Sequence, residues 1–278
     1  MELTPSTLDL DWPDIKTKIM RFITDYLEKC GADGVVLGLS GGIDSSIVAA
    51  LSALALGGKK VHGLMLPEKE TYNATDARHA RLVAKKFKIE AEECDVTSTL
   101  EAIYHSIPIF DPGERVCKGN IKARTRMIYV YYYANKLNRI VCGSSDKSET
   151  MMGYFTKWGD VASDISPIMD LYKTQVKKLA RHVGIPKEIV NKPPSPALWP
   201  GQTAEGELGL EYETLDLILY GLEHFMKEEA IAGQLNIEHE IVHEVKQRWL
   251  HAEHKRRMLL TTKIGYRTVG VDFRLRRG

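Results

Sequence analysis

A chain of 278 residues is long enough for one large domain with its own hydrophobic core. Its 44% hydrophobic and 27% charged residues are typical of a soluble globular protein, and a net charge of +1 gives no general reason to expect nucleic acid or an anionic membrane as a partner. No signal-peptide pattern, no apolar run of the roughly 20 residues that span a bilayer and no C-x-x-C pair is present, so we expect reduced thiols in a cytoplasmic protein.

Helices and strands are predicted to alternate along the first half of the chain. The predicted helices cover residues 12–30, 44–56, 75–87, 97–105 and 120–137, and the predicted strands cover 34–39, 61–66, 89–95 and 139–143. This alternation predicts an α/β fold with a doubly wound, Rossmann-like parallel sheet and helices on both faces. We expect five strands in one domain that spans residues 1–278.

The second half is less regular. Residues 108–119 are predicted to form a loop, 144–170 show little regular pattern, and 191–209 are predicted to form a loop rich in Pro and Gly. Helices are predicted over 170–183, 212–229 and 237–258. Ligands of open parallel sheets bind at the carboxyl ends of strands, and polar segments follow three of the predicted strands, at 40–45, 67–72 and 144–149.

The most informative segment is GVVLGLSGGIDSS, residues 34–46. It predicts a buried strand, a Ser-Gly-Gly turn and a helix whose free N–H groups favour phosphate. Gly41 and Gly42 allow backbone amides to approach that phosphate closely. Asp44 fits beside phosphate only if a divalent cation bridges them. The spacing and the lysine of the Walker loop are absent.

This segment resembles the SGGxDS loop of ATP pyrophosphatases, the PP-loop superfamily with an adenine nucleotide alpha-hydrolase-like fold. Further segments decide among its families. They are GNIKARTRM at 119–127, GSSDKSE at 143–149, GYFTKWGD at 153–160, DISP at 164–167, LYKTQV at 171–176, LWPGQT at 198–203 and HKR at 254–256. In order and spacing, from about residue 15 to residue 274, the chain resembles ammonia-dependent NAD synthetases.

The resemblance implies a ligase that completes NAD biosynthesis. The nicotinate carboxylate of deamido-NAD would attack the α-phosphate of ATP, pyrophosphate would leave, and ammonia would convert the acyl-adenylate into NAD and AMP. Mg²⁺ is the implied cofactor and ATP the co-substrate. Such a site must neutralise phosphate, align two anionic reactants and exclude water from a mixed anhydride.

The resemblance also assigns roles to individual residues. The ATP-binding residues would be Gly38, Leu39, Ser40, Gly41, Gly42, Ile43, Asp44, Ser45, Ser144, Lys173 and Ser195. The deamido-NAD contacts would be Arg124, Lys157, Asp164, His254 and Lys255. Asp44 and Glu149 would bind the metal, and Asp44, Lys173 and Asp160 would be catalytic. Asp160 and Asp164 would lie near the ammonium that loses a proton.

Further expectations concern the nitrogen donor and the assembly. The chain leaves no room for the amidase domain of larger NAD synthetases, so free ammonia is the expected donor, although a separate glutaminase subunit stays open. The resemblance implies a homodimer, with the N-terminal helix and the tyrosine-rich helix as candidate contact surfaces. Ala204 stands where the family commonly has an acidic residue, which leaves the role of that loop open.

Two other classes compete with this interpretation. Another ATP pyrophosphatase, such as GMP synthetase or a tRNA-thiolating enzyme, would offer a different C-terminal region or paired cysteines with a basic surface. A nucleotide sensor without catalytic activity would not need both metal carboxylates and Lys173. Without the resemblance, Arg124, Lys173 and His254 would be read as solvated surface residues.

Overall fold

The computed structural model describes residues 2–257, 260–269 and 272. Its strands are β1 (Gly34–Gly38), β2 (Val61–Met65), β3 (Glu90–Glu93) and β4 (Arg139–Val141). The helices of the first half are α1 (Trp12–Cys30), α2 (Ile43–Leu56), α3 (Ala74–Phe87), α4 (Thr97–Ser106), α5 (Arg115–Lys136) and α6 (Lys147–Met152). Those of the second half are α7 (Lys173–Val183), α8 (Lys187–Val190), α9 (Ala204–Leu208), α10 (Tyr212–Glu223), α11 (Glu228–Leu235), α12 (His239–His251) and α13 (Glu253–Arg256).

The strands form one parallel sheet in the order β3-β2-β1-β4. From β1 the chain builds the sheet outward through β2 and β3, and then returns to the other side of β1 with β4. The strand order therefore reverses at β1, and the crevice beside such a switch point is where open α/β sheets bind their ligands. The predicted parallel α/β fold is confirmed. The predicted phosphate-binding loop directly follows β1, the strand at the switch point.

The expectation of five strands is wrong for the described residues, where the sheet has four. At the fifth position, Ile165 makes a single parallel bridge with Cys142. The amide of Val141 donates to the Asp164 side chain (2.7 Å) rather than to a backbone carbonyl, and Pro167 lacks an N–H two residues beyond the bridge. A side chain and a proline thus limit this strand to one bridge.

Helices cover both faces of the sheet. Val35 and Leu37 pack with α1, α2, α3 and α7 on one face, whereas Val36 of the same strand packs under α5 on the other. This alternation follows from the two-residue period of a strand. Helices α6 and α10–α12 bury a separate apolar cluster with the N-terminal residues Leu3 and Leu8.

Local signals define the best-predicted boundaries. Helix α1 begins after Asp11, whose carboxylate accepts the Asp14 N–H at 3.0 Å, and ends at Gly31 in the left-handed conformation with φ of 67°. Within the described part of the chain, no helix combines the length and the apolar character that crossing a membrane requires.

Several boundaries in the less regular regions differ from the prediction. Helix α5 begins at Arg115, inside the predicted loop 108–119, and α6 lies within 144–170. Helix α7 begins three residues later than predicted, at Lys173. The predicted helices 212–229 and 237–258 are each divided in two, the first near Phe225 with φ of 57°. Met258, the predicted end of the last helix, lies outside the described residues.

Candidate active site

A cavity of about 360 Å³ opens at the carboxyl ends of β1, β2 and β4. Most of the predicted ATP-binding residues line it. They are Gly38, Leu39, Ser40, Gly42, Ile43, Asp44, Ser45, Ser144 and Ser195. The predicted metal ligand Glu149 and the predicted catalytic residue Asp160 line it as well. The fold thus brings residues from four separate chain segments to one opening.

The turn between β1 and α2 is held by its own hydroxyl groups. The amide of Ser40 donates to Ser45 Oγ at 3.2 Å, and the two hydroxyl oxygens lie 3.0 Å apart. Ser46 Oγ donates to the carbonyl of Gly42 at 2.7 Å. The N-cap residue of α2 is Gly42, which has no side chain to bond the first N–H groups of the helix. These groups lie at the cavity, where the helix dipole favours an anion.

Gly41 is required by both conformation and space. Its φ of +81° lies in the left-handed region, and a Cβ built on it would lie 2.1 Å from the carbonyl oxygen of Asp76. The loop therefore packs directly against the start of α3, an approach that only glycine allows.

Beneath the loop, a buried lysine joins three carboxylates. Lys173, the first residue of α7, has a completely buried side chain. Its Nζ lies 2.7 Å from Asp44 Oδ2, 2.7 Å from Asp146 Oδ2 and 2.8 Å from Glu149 Oε1. Asp44 and Glu149 reach the cavity, whereas Lys173 and Asp146 support them from behind.

The charges of this cluster depend on one another. Burial alone would lower the pKa of Lys173, but the three carboxylates hold it well above its usual value. Burial raises the pKa of Glu149 and that of Asp146, and the repulsion between neighbouring carboxylates acts in the same direction. A divalent cation beside Glu149 would offset this repulsion and favour the ionised carboxylate.

The donor set fits magnesium. Asp44 Oδ1 is a buried oxygen for which the described residues provide no hydrogen-bond partner, and Glu149 offers a second carboxylate beside it. In the described part of the chain, no three His, Cys, Asp or Glu side chains are arranged as a ready metal site. The unpartnered oxygen of Asp44 and the carboxylate of Glu149 suit an ion that takes one or two protein carboxylates and completes its shell with phosphate oxygens and water.

Asp146 belongs to this cluster, although no role is predicted for it from the sequence. Its side chain is fully buried and caps α6 by accepting the Glu149 N–H at 2.8 Å. An Asp three residues before a Glu is a typical helix-start pattern, and it lies within the segment GSSDKSE. Asp146 therefore orients the helix that carries Glu149.

Three of the predicted deamido-NAD contacts form a chain outside the cavity lining. Arg124 donates to the carbonyl of Lys157 through Nε (3.3 Å) and Nη2 (3.2 Å), and Lys157 Nζ donates to the carbonyl of His254 at 2.7 Å. Lys255 Nζ donates to the carbonyl of Gly153 at 2.5 Å. These contacts gather four basic residues, from α5, the 153–160 segment and α13, around the segment that carries the cavity residue Asp160.

The two predicted acidic residues of this region have different positions. Asp160 is an exposed residue that lines the cavity and accepts the Thr156 N–H at 2.8 Å. Asp164 lies at the edge of β4, where one of its oxygens accepts the Val141 N–H. Asp160 borders the cavity, and Asp164 is built into the sheet edge.

A proline-rich segment, residues 191–203, closes another side of the cavity; we call it the proline loop. Ser195 Oγ donates to the carbonyl of Gln202 at 2.6 Å, and Gln202 Oε1 accepts the Leu198 N–H at 2.8 Å. Lys192, a cavity residue that the sequence analysis did not assign, donates to the carboxylate of Asp76 on α3. Hydrogen bonds within the proline loop therefore stabilise its conformation, and an ion pair attaches the loop to α3.

A parallel α/β sheet with an anion-binding loop at its switch point, over a buried lysine–carboxylate cluster, defines a nucleotide-binding protein that handles phosphate. The family model described as NAD synthase matches residues 15–259. The chain belongs to this family.

The sequences of two relatives align with nearly the whole of this chain. The NH(3)-dependent NAD(+) synthetase of Methanocaldococcus jannaschii is 48% identical over 255 residues, 90% of this chain and 97% of the relative. That of Pelodictyon phaeoclathratiforme is 43% identical over 271 residues, 97% of this chain and 96% of the relative.

Among solved structures, NMN synthetase from Francisella tularensis is 34% identical with a TM-score of 0.82, covering 92% of this chain and all of that one. The NH3-dependent NAD synthetase of Campylobacter jejuni, solved with nitrate, is 28% identical with a TM-score of 0.77 over the same shares.

Proposed function

We propose that this chain makes NAD from deamido-NAD, ATP and ammonia, in two steps. A nicotinate carboxylate oxygen attacks the α-phosphorus of ATP, and the bond to the bridging oxygen breaks to release pyrophosphate. Ammonia then attacks the acyl carbon, AMP leaves and the nitrogen loses a proton. The observation that carries this proposal is the meeting of the phosphate loop with the Lys173–Asp44–Glu149 cluster at one cavity.

The loop would bind the phosphates of ATP. The N–H groups at the start of α2 and the hydroxyls of Ser40 and Ser45 would supply the donors. The hydroxyls of Ser144 and Ser195 lie at the same cavity, where they could contact the rest of the nucleotide.

Mg²⁺ is the cofactor that the carboxylates fit, with Asp44 and Glu149 as ligands. When bound, it would neutralise phosphate charge and so stabilise the leaving pyrophosphate. Lys173 is held as an ammonium between these carboxylates. It would keep both in place and add positive charge beside the phosphates.

The basic group beside the cavity suits the second substrate. Arg124, Lys157, His254 and Lys255 would bind the anionic dinucleotide. Asp160 borders the cavity on the same side and could attract ammonium and accept its proton. We assign Asp164, at the adjacent sheet edge, to the same substrate region.

We also propose that one domain performs the whole reaction with free ammonia, and that two copies associate. Ile128 and Tyr132 of α5 and Phe22 of α1 are exposed apolar side chains that a dimer would cover. Light scattering should give twice the chain mass of 31.3 kDa, and Ile128→Glu should shift it towards the single-chain value.

A second possible product, NMN, should be tested in the same assay, because one structural relative is described as NMN synthetase. The corresponding mononucleotide acid would pass through identical chemistry, with fewer contacts to the basic group. Purified protein should be given ATP, Mg²⁺ and either deamido-NAD or the mononucleotide acid, with ammonium or glutamine. We expect NAD to form from deamido-NAD and ammonium. Preference for the mononucleotide acid would contradict the assignment of deamido-NAD as the substrate. Absence of pyrophosphate would contradict the proposed adenylation step.

A further inference from the structure

Two loops at the cavity are fastened to the same face of α5. One is the strand loop, residues 66–73, which joins β2 to α3, and the other is the proline loop. Lys122 lies between them, within the segment GNIKARTRM, and its side chain is 1% exposed. The reaction proposed above does not use this lysine, and a buried ammonium is costly unless it is fully paired.

Lys122 has three donors, and each reaches an acceptor on one of the two loops. Its Nζ donates to Glu68 Oε1 at 2.7 Å and to Glu70 Oε2 at 2.8 Å, both on the strand loop. The third acceptor is the carbonyl of Leu198 on the proline loop, at 2.9 Å. A single ammonium thus uses its full donor capacity to join both loops to α5.

Glu68 extends this pairing into the strand loop itself. Its carboxylate accepts from Thr71 Oγ at 2.6 Å and from the N–H groups of Glu70 (2.8 Å) and Thr71 (3.1 Å). Although burial alone would raise the pKa of Glu68, the bonds from Lys122 and Thr71 lower it. The carboxylate therefore stays ionised and holds the turn that presents Thr71 to the cavity.

Neighbouring residues of α5 fasten the same loops. Gly119 lies so close to the proline loop that a Cβ would be 3.2 Å from Leu198 and 3.3 Å from Trp199. Arg126 Nε donates to the carbonyl of Leu66 on the strand loop at 3.1 Å. Gly119, Lys122 and Arg126 are three and four residues apart, a spacing that puts them on one helix face.

We propose that Lys122 is a positioning residue for ATP, which holds the strand loop and the proline loop in the conformation that binds the nucleotide. The inference rests on the proposed function, since ATP is the ligand concerned. If both loops are already fixed, ATP binding carries no entropy cost for ordering them. If the loops adopt the binding conformation only part of the time, the apparent affinity for ATP falls in proportion to the fraction of protein in that conformation.

The test measures the Kd of ATP with Mg²⁺ by calorimetry. Lys122→Met keeps the chain length and apolar stem but removes the ammonium, and it should raise the Kd at least about tenfold. The matched control is Lys118→Met on the same helix, because Lys118 pairs with Glu70 (2.7 Å) but with neither Glu68 nor Leu198 among the contacts described. The control should change the Kd less than about twofold.

A second variant separates positioning from stability. Lys122→Met alone leaves the buried Glu68 carboxylate without its cationic partner, which destabilises the fold, whereas the double variant Glu68→Gln/Lys122→Met removes both charges. The double variant should recover thermal stability and still bind ATP weakly, with a raised KM for ATP and a nearly unchanged KM for deamido-NAD. Recovery of ATP affinity together with stability would overturn the inference.

The same titrations distinguish the two proposals. If the wild-type protein binds ATP and Lys122→Met binds it equally well, the positioning role is wrong and the proposed function stands. If the wild-type protein binds no ATP, the proposed function itself fails, and this inference fails with it.

Discussion

The ammonium of Lys173 lies 2.7 Å from the carboxylate of Asp44, although 129 residues separate them in the chain. Asp44 lies in the first turn of α2, directly after the phosphate loop, and Lys173 begins α7 in the second half of the chain. The pair therefore joins the two halves of the molecule directly beneath the cavity. It also holds one proposed metal ligand at the position where ATP would arrive.

Asp44→Asn should abolish pyrophosphate release while the fold is retained. The amide keeps the shape of the side chain but removes the charge that would bind Mg²⁺, so we expect at least about a hundredfold loss of turnover. Pyrophosphate release and circular dichroism check the two statements. Asp25→Asn, on the exposed face of α1, is the control, and normal turnover by Asp44→Asn would refute the metal assignment.

Gly41→Ala should damage the phosphate loop through shape alone. The new Cβ would meet the Asp76 carbonyl at 2.1 Å in a backbone with positive φ, so the loop must move and ATP affinity should fall. Gly233→Ala is the control, because a Cβ in α11 meets no atom within 4 Å and alanine favours a helix. Calorimetric titration with ATP would compare the two variants, and equal affinities would show that Gly41 can be replaced.

The phosphate loop could be predicted from the sequence because its determinants are local. The strand, the glycines, Asp44 and the helix start are consecutive, and each acts within a few residues. The same reason explains why α1 was located well, with its Asp11 cap and its terminal Gly31.

The remaining parts of the site depend on contacts between distant segments. Helix α6 has six residues, too few for a periodic signal, and it is fixed by Ser148, which donates to Asp216 on α10 at 2.5 Å. Lys122 meets Glu68 across 54 residues. Neither pairing follows from spacing along the chain, and the incomplete fifth strand likewise depends on a side chain, that of Asp164, taking a strand N–H.

Lys255→Ala should affect the dinucleotide more than ATP. Lys255 Nζ lies 4.8 Å from the centre of the Phe155 ring and donates to Gly153, on the side of the opening assigned to deamido-NAD. We expect the KM for deamido-NAD to rise about tenfold, with a much smaller change in the KM for ATP. Steady-state kinetics check this, with Lys246→Ala on α12 as the control. Equal effects on both substrates would remove Lys255 from the dinucleotide site.

Asp216 should make the stability of the fold depend on pH. Burial raises the pKa of this carboxyl to about 7, although Ser148 and Thr174 donate hydrogen bonds to it. In the unfolded chain its pKa is near 3.8, so between these values the folded state binds more protons than the unfolded state. This group therefore stabilises the fold less as pH rises through that window, by at most about 1.4 kcal/mol per pH unit.

Asp216→Asn removes this titration. Relative to wild type, its free energy of unfolding should improve steadily from pH 4 to pH 7, as urea denaturation would measure at several pH values. Asp170→Asn, whose parent side chain is 99% exposed, should follow the wild-type curve. Parallel curves for wild type and Asp216→Asn would mean that Asp216 does not carry a raised pKa.

In the proposed reaction, the nicotinate carboxylate of deamido-NAD is activated by its direct attack on the α-phosphate of ATP. Deamido-NAD labelled with ¹⁸O in that carboxylate tests it most directly, with mass spectrometry of all phosphate products after one round of turnover with ammonium. Transfer of one ¹⁸O to AMP, with none in pyrophosphate, is the predicted result. Unlabelled AMP, or label in inorganic phosphate beside ADP, would contradict the adenylation step and the role assigned to this cavity.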